Sequence, residues 1–256
     1  MIDRRELLAK ARERKLNLNI VEKDYVLGWL LWGCSQFDSL VFKGGTALSK
    51  IYFPEIWRLS EDLDFSLLDD DFSLISDTVE EMFKQVEKKS GIKLVLKSRF
   101  SNPDYLQLKI QYHGVISRNW IKADFMKNDI VDNPVKKYLK KEYSDYEKVD
   151  ITVESLEEIF CSKVRTVIER KKCRDFFDLW KLINMSVDIK KVKKILSNKL
   201  EIKGIKLVSL KQIFAEDLKE TLFPYWEREL GRLVNPLPEL EIVLTELKSF
   251  IKARFI

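Results

Sequence analysis

The stretch VFKGGTALSKIYFPEIWRLSEDLDFSL, residues 41–67, decides how the rest of the chain is read. Leu40-Val41-Phe42 is a short apolar run that ends in a glycine pair, as a buried strand entering a turn does. Leu63, Phe65 and Leu67 alternate with Asp62, Asp64 and Ser66, the period of a second strand. Asp62 and Asp64 then share one face, while Leu63 and Phe65 enter a core. Two carboxylates so placed repel each other unless a cation lies between them. Mg²⁺ suits the pair, because it takes one or two carboxylates and fills its shell with water and substrate phosphates. Gly44 and Gly45 let the backbone approach an anion closely. Thr46 opens a helix whose free N–H groups and positive dipole end favour a phosphate. A phosphate cradle followed by a metal-binding strand suits a nucleoside triphosphate and its metal.

The chain has 256 residues, room for two modest domains or one large one. Its 45% apolar and 34% charged content is that of a folded soluble protein. A formal charge of +5 permits an anionic partner such as RNA. The longest apolar run, Tyr25 to Gly33, is too short to span a bilayer. The charged N-terminus lacks the apolar core of a secretion signal, and Cys34, Cys161 and Cys173 fit neither a zinc motif nor a disulfide framework. A cytoplasmic setting is expected. His113 is the single histidine, at the end of a strand-like run, which excludes histidine-rich metal sites.

Outward from the central stretch, residues 3–15 and 20–34 read as helices, the second capped by Asn19. Glu22-Lys23-Asp24-Tyr25 is either a solvated helix start or functional. Asp69-Asp70-Asp71 reads as a turn before a helix over 73–89, which stops at Gly91. Alternating strands follow around Ile92–Leu96, Leu106–Tyr112 and Trp120–Met126. If Ile121, Ala123 and Phe125 face the core, Asp124 shares the opposite face with Lys122 and Trp120. Asp124 is then either an exposed strand residue or a further metal ligand; Asp129 and Asp132, among loop residues, are weaker candidates. In residues 133–149, lysines interleave with Tyr138, Tyr143 and Tyr146. That pattern fits a solvated helix with half-buried tyrosines, or a surface for phosphates and unpaired bases.

From Glu154 onward the chain reads as nearly all helical. Ser155 or Thr152 caps a helix with the stripe Leu156, Ile159, Phe160, Val164 and Val167. Lys163 lies within that stripe, where a cation is costly unless something anionic meets it. A triphosphate or the metal-site carboxylates would do so. Asp175 and Asp178 share a face of the next helix. Asp175 either acts on Lys163 or substrate, or caps the helix and pairs with Arg170 or Arg174; Asp178 reads as structural. A lysine-rich helix over 187–200, an amphipathic segment over 211–222 and a last helix after Pro238 complete the chain.

The wording F-K-G-G-T-x-L-S-K, then R-L-S-E-D-L-D-F, resembles the AbiEii/AbiGii-type toxins, a branch of the nucleotidyltransferase superfamily that includes DNA polymerase β. Lys163 followed by Arg174-Asp175-Phe176-Phe177-Asp178-Leu179 is similar to the family's last motif. The resemblance implies an α+β fold. A mixed nucleotidyltransferase sheet with flanking helices would span 1–150, and a helical domain completing the active-site cleft would span 151–256. It implies that Asp62, Asp64 and Asp124 hold Mg²⁺ or Mn²⁺, that Gly44, Gly45 and Thr46 cradle phosphates, and that Lys163 and Asp175 take part in catalysis. Ser60 and Lys50 are secondary nucleotide contacts, with Lys50 alternatively pointing to solvent. The implied reaction transfers a nucleoside monophosphate from an NTP to an acceptor hydroxyl, releasing pyrophosphate. The implied acceptor is the 3′ end of tRNA, and the implied partner is a cognate antitoxin. Transfer to a protein or small-molecule acceptor, and a non-catalytic nucleotide-binding module, are the alternatives.

Overall fold

A computed structural model of the chain describes residues 1–69, 71–127, 131–202, 204 and 212–255. The described residues form two compact units, Met1–Glu154 and Ser155–Ile256. The first contains a seven-stranded mixed sheet in the order β3-β4-β5-β2-β1-β7-β6. Its strands are β1 (Leu40–Lys43), β2 (Asp62–Leu67), β3 (Lys93–Asn102), β4 (Tyr105–His113), β5 (Arg118–Met126), β6 (Val135–Tyr138) and β7 (Asp150–Val153). Three helices precede or cross the sheet: α1 (Arg4–Arg14), α2 (Leu18–Cys34) and α4 (Ser73–Ser90). Between β1 and β2, α3 (Gly44–Ala47) runs directly into a wider π-type turn, Leu48–Tyr52.

Period-2 alternation sorts the central strands into two faces. Leu63 and Phe65 of β2, Ile121, Ala123 and Phe125 of β5, and Leu106, Leu108 and Ile110 of β4 are all buried. Phe65 lies between Phe42 and Phe125, with ring centroids 5.2 and 5.3 Å away. Helix α2 packs against β2 and β5 on this side, and α4 packs on α2 and β3. From Tyr25 onward helix α2 is apolar nearly all round, as an enclosed helix is. Its Gly28 makes room for Tyr146, whose Oη would lie 2.0 Å from an added Cβ.

The helix starts differ slightly from expectation. Asn17 rather than Asn19 caps α2, accepting from the Asn19 N–H at 2.9 Å. Asp71 accepts from the Ser73 N–H at 2.7 Å at the head of α4, and Gly91 ends it with a φ of 75°. A larger correction concerns residues 133–149. No helix forms there: β6 pairs antiparallel with β7, and Tyr143 and Tyr146 are buried. Their spacing imitates a helical face, but both rings are claimed by Tyr25 at 5.1 and 5.8 Å. The first unit also runs past residue 150, because Asp150–Val153 pairs with β6 and Val153 pairs in parallel with Phe42 of β1.

The second unit is helical: α5 (Leu156–Glu169), α6 (Cys173–Ile183), α7 (Ile189–Ile202), α8 (Leu218–Leu230) and α9 (Leu240–Phe255). Ser155 caps α5, accepting from the Glu158 N–H at 3.3 Å. Helix α6 packs against α5, α8 and α9, and α5 also packs against α7. The amphipathic segment expected over 211–222 begins outside the described residues; within them its helix starts at Leu218. Among the described residues no helix is long and apolar enough to cross a membrane.

Truncating Phe65, only 2% exposed, empties the middle of the aromatic stack. Phe65→Ala is expected to cost about 3–5 kcal/mol of stability, read as a lower urea midpoint.

Candidate active site

The face of the sheet opposite α2 carries the polar residues. β2 and β5 run parallel, and their register sets Asp62 beside Lys122 and Asp64 beside Asp124. β1 runs antiparallel to β2 on the other side, setting Lys43 beside Asp64. Strand alternation therefore places Asp62, Asp64 and Asp124 on one face, with Lys43 and Lys122 among them. The Lys43 ammonium is nearly enclosed and donates to Ser66 Oγ at 2.8 Å. Like charges on adjacent strands are unfavourable, and these two cations offset part of the repulsion.

Asp124 is held from the neighbouring strand. Its Oδ1 accepts from Tyr105 Oη at 2.7 Å and from Gln107 Nε2 at 2.9 Å. Burial and the negative charge of Asp124 together push the Tyr105 phenol well above its ordinary pKa, so it stays a donor. Sequence reading missed both residues. The available signal was that Tyr105 and Gln107 lie two apart in an alternating strand, opposite the apolar Leu106 and Leu108.

The glycine turn abuts this face. Gly44 has a φ of +79°, and an added Cβ would lie 2.7 Å from Asp64 Oδ2. Glycine is thus required both by backbone conformation and by the carboxylate against it. The Thr46 hydroxyl donates to the Asp62 carbonyl oxygen, tying the start of α3 to the start of β2. Ser60 is buried just before β2. Gly44, Gly45 and Thr46 are thereby brought next to Asp62 and Asp64.

Among the described residues, no three His, Cys, Asp or Glu side chains gather closely enough to hold an ion by themselves. The three aspartates share a face without forming a closed cage. That donor set fits a hard ion such as Mg²⁺, which needs only one or two carboxylates and draws its other ligands from water and phosphate. Asp129 lies outside the described residues.

Lys50 neither contacts a nucleotide site nor points to solvent. It is fully buried, donating to Asp24 Oδ2 at 2.7 Å and Glu142 Oε2 at 2.9 Å. Tyr143 Oη also donates to Asp24 Oδ2, at 2.9 Å, and Arg14 pairs with Glu142. The run Glu22-Lys23-Asp24-Tyr25 is likewise not a solvated helix start. Glu22 accepts from the Ile116 N–H at 2.6 Å and from Ser117, and Lys23 faces Glu61 at 3.5 Å. Tyr25 donates to Asp145 at 2.6 Å. One turn of α2 thus fastens the β4–β5 connection, the approach to β2 and the segment before β7.

In the helical unit, the anions that meet Lys163 come from α6. Its Nζ lies 3.0 Å from Asp175 Oδ1 and 2.8 Å from Asp178 Oδ2. Arg170 donates to both oxygens of Asp175, at 2.8 and 3.1 Å. Burial works to raise the Asp175 pKa, but Lys163 and Arg170 outweigh it and hold the carboxyl well below its ordinary value.

Two stability tests follow from these clusters. Lys50→Met leaves Asp24 and Glu142 buried without their shared cation, and is expected to cost about 3–5 kcal/mol in urea unfolding. Asp175, whose pKa is lowered on folding, contributes stability that is full above its unfolded pKa of about 3.9 and lost as pH falls below it. The urea midpoint of the wild type is therefore expected to drop on acidification through that range, and Asp175→Asn to flatten the drop.

The chain matches the family described as nucleotidyl transferase AbiEii toxin, type IV toxin–antitoxin system, over residues 29–250. A search of curated proteins finds no match. Among solved structures, MenT4, a nucleotidyltransferase toxin from Mycobacterium tuberculosis H37Rv, is similar in fold. Its TM-score is 0.72 at 19% identity, covering 96% of this chain and 85% of that one. JHP933 from Helicobacter pylori is also similar, with a TM-score of 0.60 at 18% identity over 93% of this chain and 92% of that one. The mixed sheet, the glycine turn against paired aspartates and a family match spanning most of the chain agree: the protein belongs to the AbiEii family of nucleotidyltransferase toxins of type IV toxin–antitoxin systems.

Proposed function

We propose that this enzyme transfers a nucleoside monophosphate from an NTP to the 3′ end of tRNA, with Asp62, Asp64 and Asp124 as ligands for Mg²⁺ or Mn²⁺. The observation that carries the reading is the register that sets Asp64 beside Asp124, two positions along from Asp62 and against Gly44. A metal bound there would supply charge neutralisation on the triphosphate and activation of the acceptor hydroxyl. The protein's own part is positioning. Gly44 and Gly45 keep side chains away from the β- and γ-phosphates, and the N–H groups at Thr46 donate to them. Tyr105 and Gln107 fix Asp124 through Oδ1, which leaves Oδ2 to take the acceptor proton. In the helical unit Asp175 orients Lys163, and this pair takes part in the reaction. Ser60 is a secondary contact. A tRNA acceptor accords with the family and with a formal charge of +5. Blocking that end stops aminoacylation and so growth, which a cognate antitoxin would relieve in the cytoplasm.

Incubating the purified protein with each radiolabelled NTP, Mg²⁺ and total cellular RNA tests the reading. Label on RNA of tRNA size is expected, and Asp62→Ala or Asp64→Ala should abolish it. Gln107→Ala, which removes a donor behind Asp124, should slow transfer by about 10- to 100-fold, as loss of outer-shell partners does. Label on protein, or only on small molecules, would overturn the tRNA acceptor.

A further inference from the structure

Trp120 lies near the start of β5, on the same face as Asp124, and remains 40% exposed. Three ammonium groups surround its ring: Lys109 at 4.4 Å, Lys23 at 5.5 Å and Lys122 at 5.9 Å from the centroid. Lys23 also has Glu61 at 3.5 Å. Lys109 and Lys122 are direct cross-strand partners in the β4–β5 ladder. Among the described residues neither forms an ion pair. Like charges directly opposed across a ladder destabilise it. Their attraction to a half-exposed indole returns part of that cost; Lys122 also stands beside Asp62, and both half-buried lysines flank the exposed part of the aromatic face. An anionic strand with unpaired bases complements all three.

We propose that Trp120, with Lys109 and Lys122, is the platform on which the RNA acceptor docks: an unpaired nucleotide stacks on the indole and its flanking phosphates meet the lysines. The inference rests on the RNA-acceptor reading above and adds a site to it. Strand geometry supports the placement. Trp120, Lys122 and Asp124 succeed one another on one face of β5, at about 6.6 Å per step. An RNA whose terminal hydroxyl reaches Asp124 therefore passes Trp120 a short way back along its own chain. A free nucleotide fits less well, since its charge belongs at the glycine turn rather than beside Lys109.

Fluorescence anisotropy with a short, 5′-labelled single-stranded oligoribonucleotide tests this directly on the full chain. Trp120→Ala is expected to weaken binding by roughly tenfold or more, while Trp120→Phe, which keeps an aromatic face, stays within about threefold of wild type. The Lys109→Ala, Lys122→Ala double variant is expected to flatten the logarithmic salt dependence by about 1.4. That measurement stands on its own should Trp120→Ala fail to fold. Equal binding by wild type and Trp120→Ala would overturn the platform, as would an unchanged salt slope in the lysine variant. Efficient competition by mononucleotide at oligonucleotide concentrations, or no binding by the wild type, would do the same. The two readings fail separately. RNA binding through Trp120 without label transfer keeps the platform and removes the tRNA reaction. Transfer to RNA with Trp120→Ala binding undiminished keeps the reaction and removes the platform.

Discussion

Lys50 is enclosed without access to water, and its charge is met by Asp24 from α2 and Glu142 from the segment before β7. Lys50 itself belongs to the turn that continues the helix after Gly44 and Gly45. One ammonium therefore joins three parts of the chain that otherwise have no sequence reason to meet. An ion pair out of water is a poor source of net stability compared with an apolar core of the same volume. Its effect here is positional. A shift of the helix after the glycines would part Lys50 from Asp24 and from Glu142, which would keep only Arg14, so the glycine turn is fixed relative to α2. Because α2 also packs under β2 and β5, the turn is fixed relative to the aspartates above it.

The sheet adds the second half of that arrangement. Its apolar side is closed by α2, α4 and the Phe42, Phe65, Phe125 stack, which leaves the acid-bearing side to be organised by hydrogen bonds and charge. Lys43 and Lys122 stand among the carboxylates, and Tyr105 and Gln107 hold Asp124. These residues are rooted in paired strands of one sheet. Their backbone positions cannot shift without moving a ladder that is buried on the reverse side.

Local periodicity was enough to find much of this. Alternation placed Asp62 and Asp64 on one face and Asp124 on the polar face of its own strand, because a period of two needs only a few residues to be read; the family resemblance is what joined Asp124 to the pair. The α5 stripe placed Lys163 on a buried face, and the anions that meet it proved to be Asp175 and Asp178. What escaped was tertiary. Glu22, Lys23 and Asp24 look like an ordinary charged helix start until their partners, distant in sequence, are known. Lys50 looks like an exposed helix lysine for the same reason. Tyr143 and Tyr146 have helical spacing but no helix, since Tyr25 and the gap at Gly28 decide where their rings go.

The parallel pairing of β2 with β5 has a bearing on synthesis. Asp64 and Asp124 become neighbours only when residues 62–66 dock beside residues 122–126, after α4 and the β3–β4 hairpin have been made. Contacts so distant in the chain form late, because loop closure must precede them. A nascent chain still missing β5 carries the glycine turn and two of the three aspartates, but not the assembled face. The acid-bearing face is therefore complete only once β5 has been made and has docked beside β2.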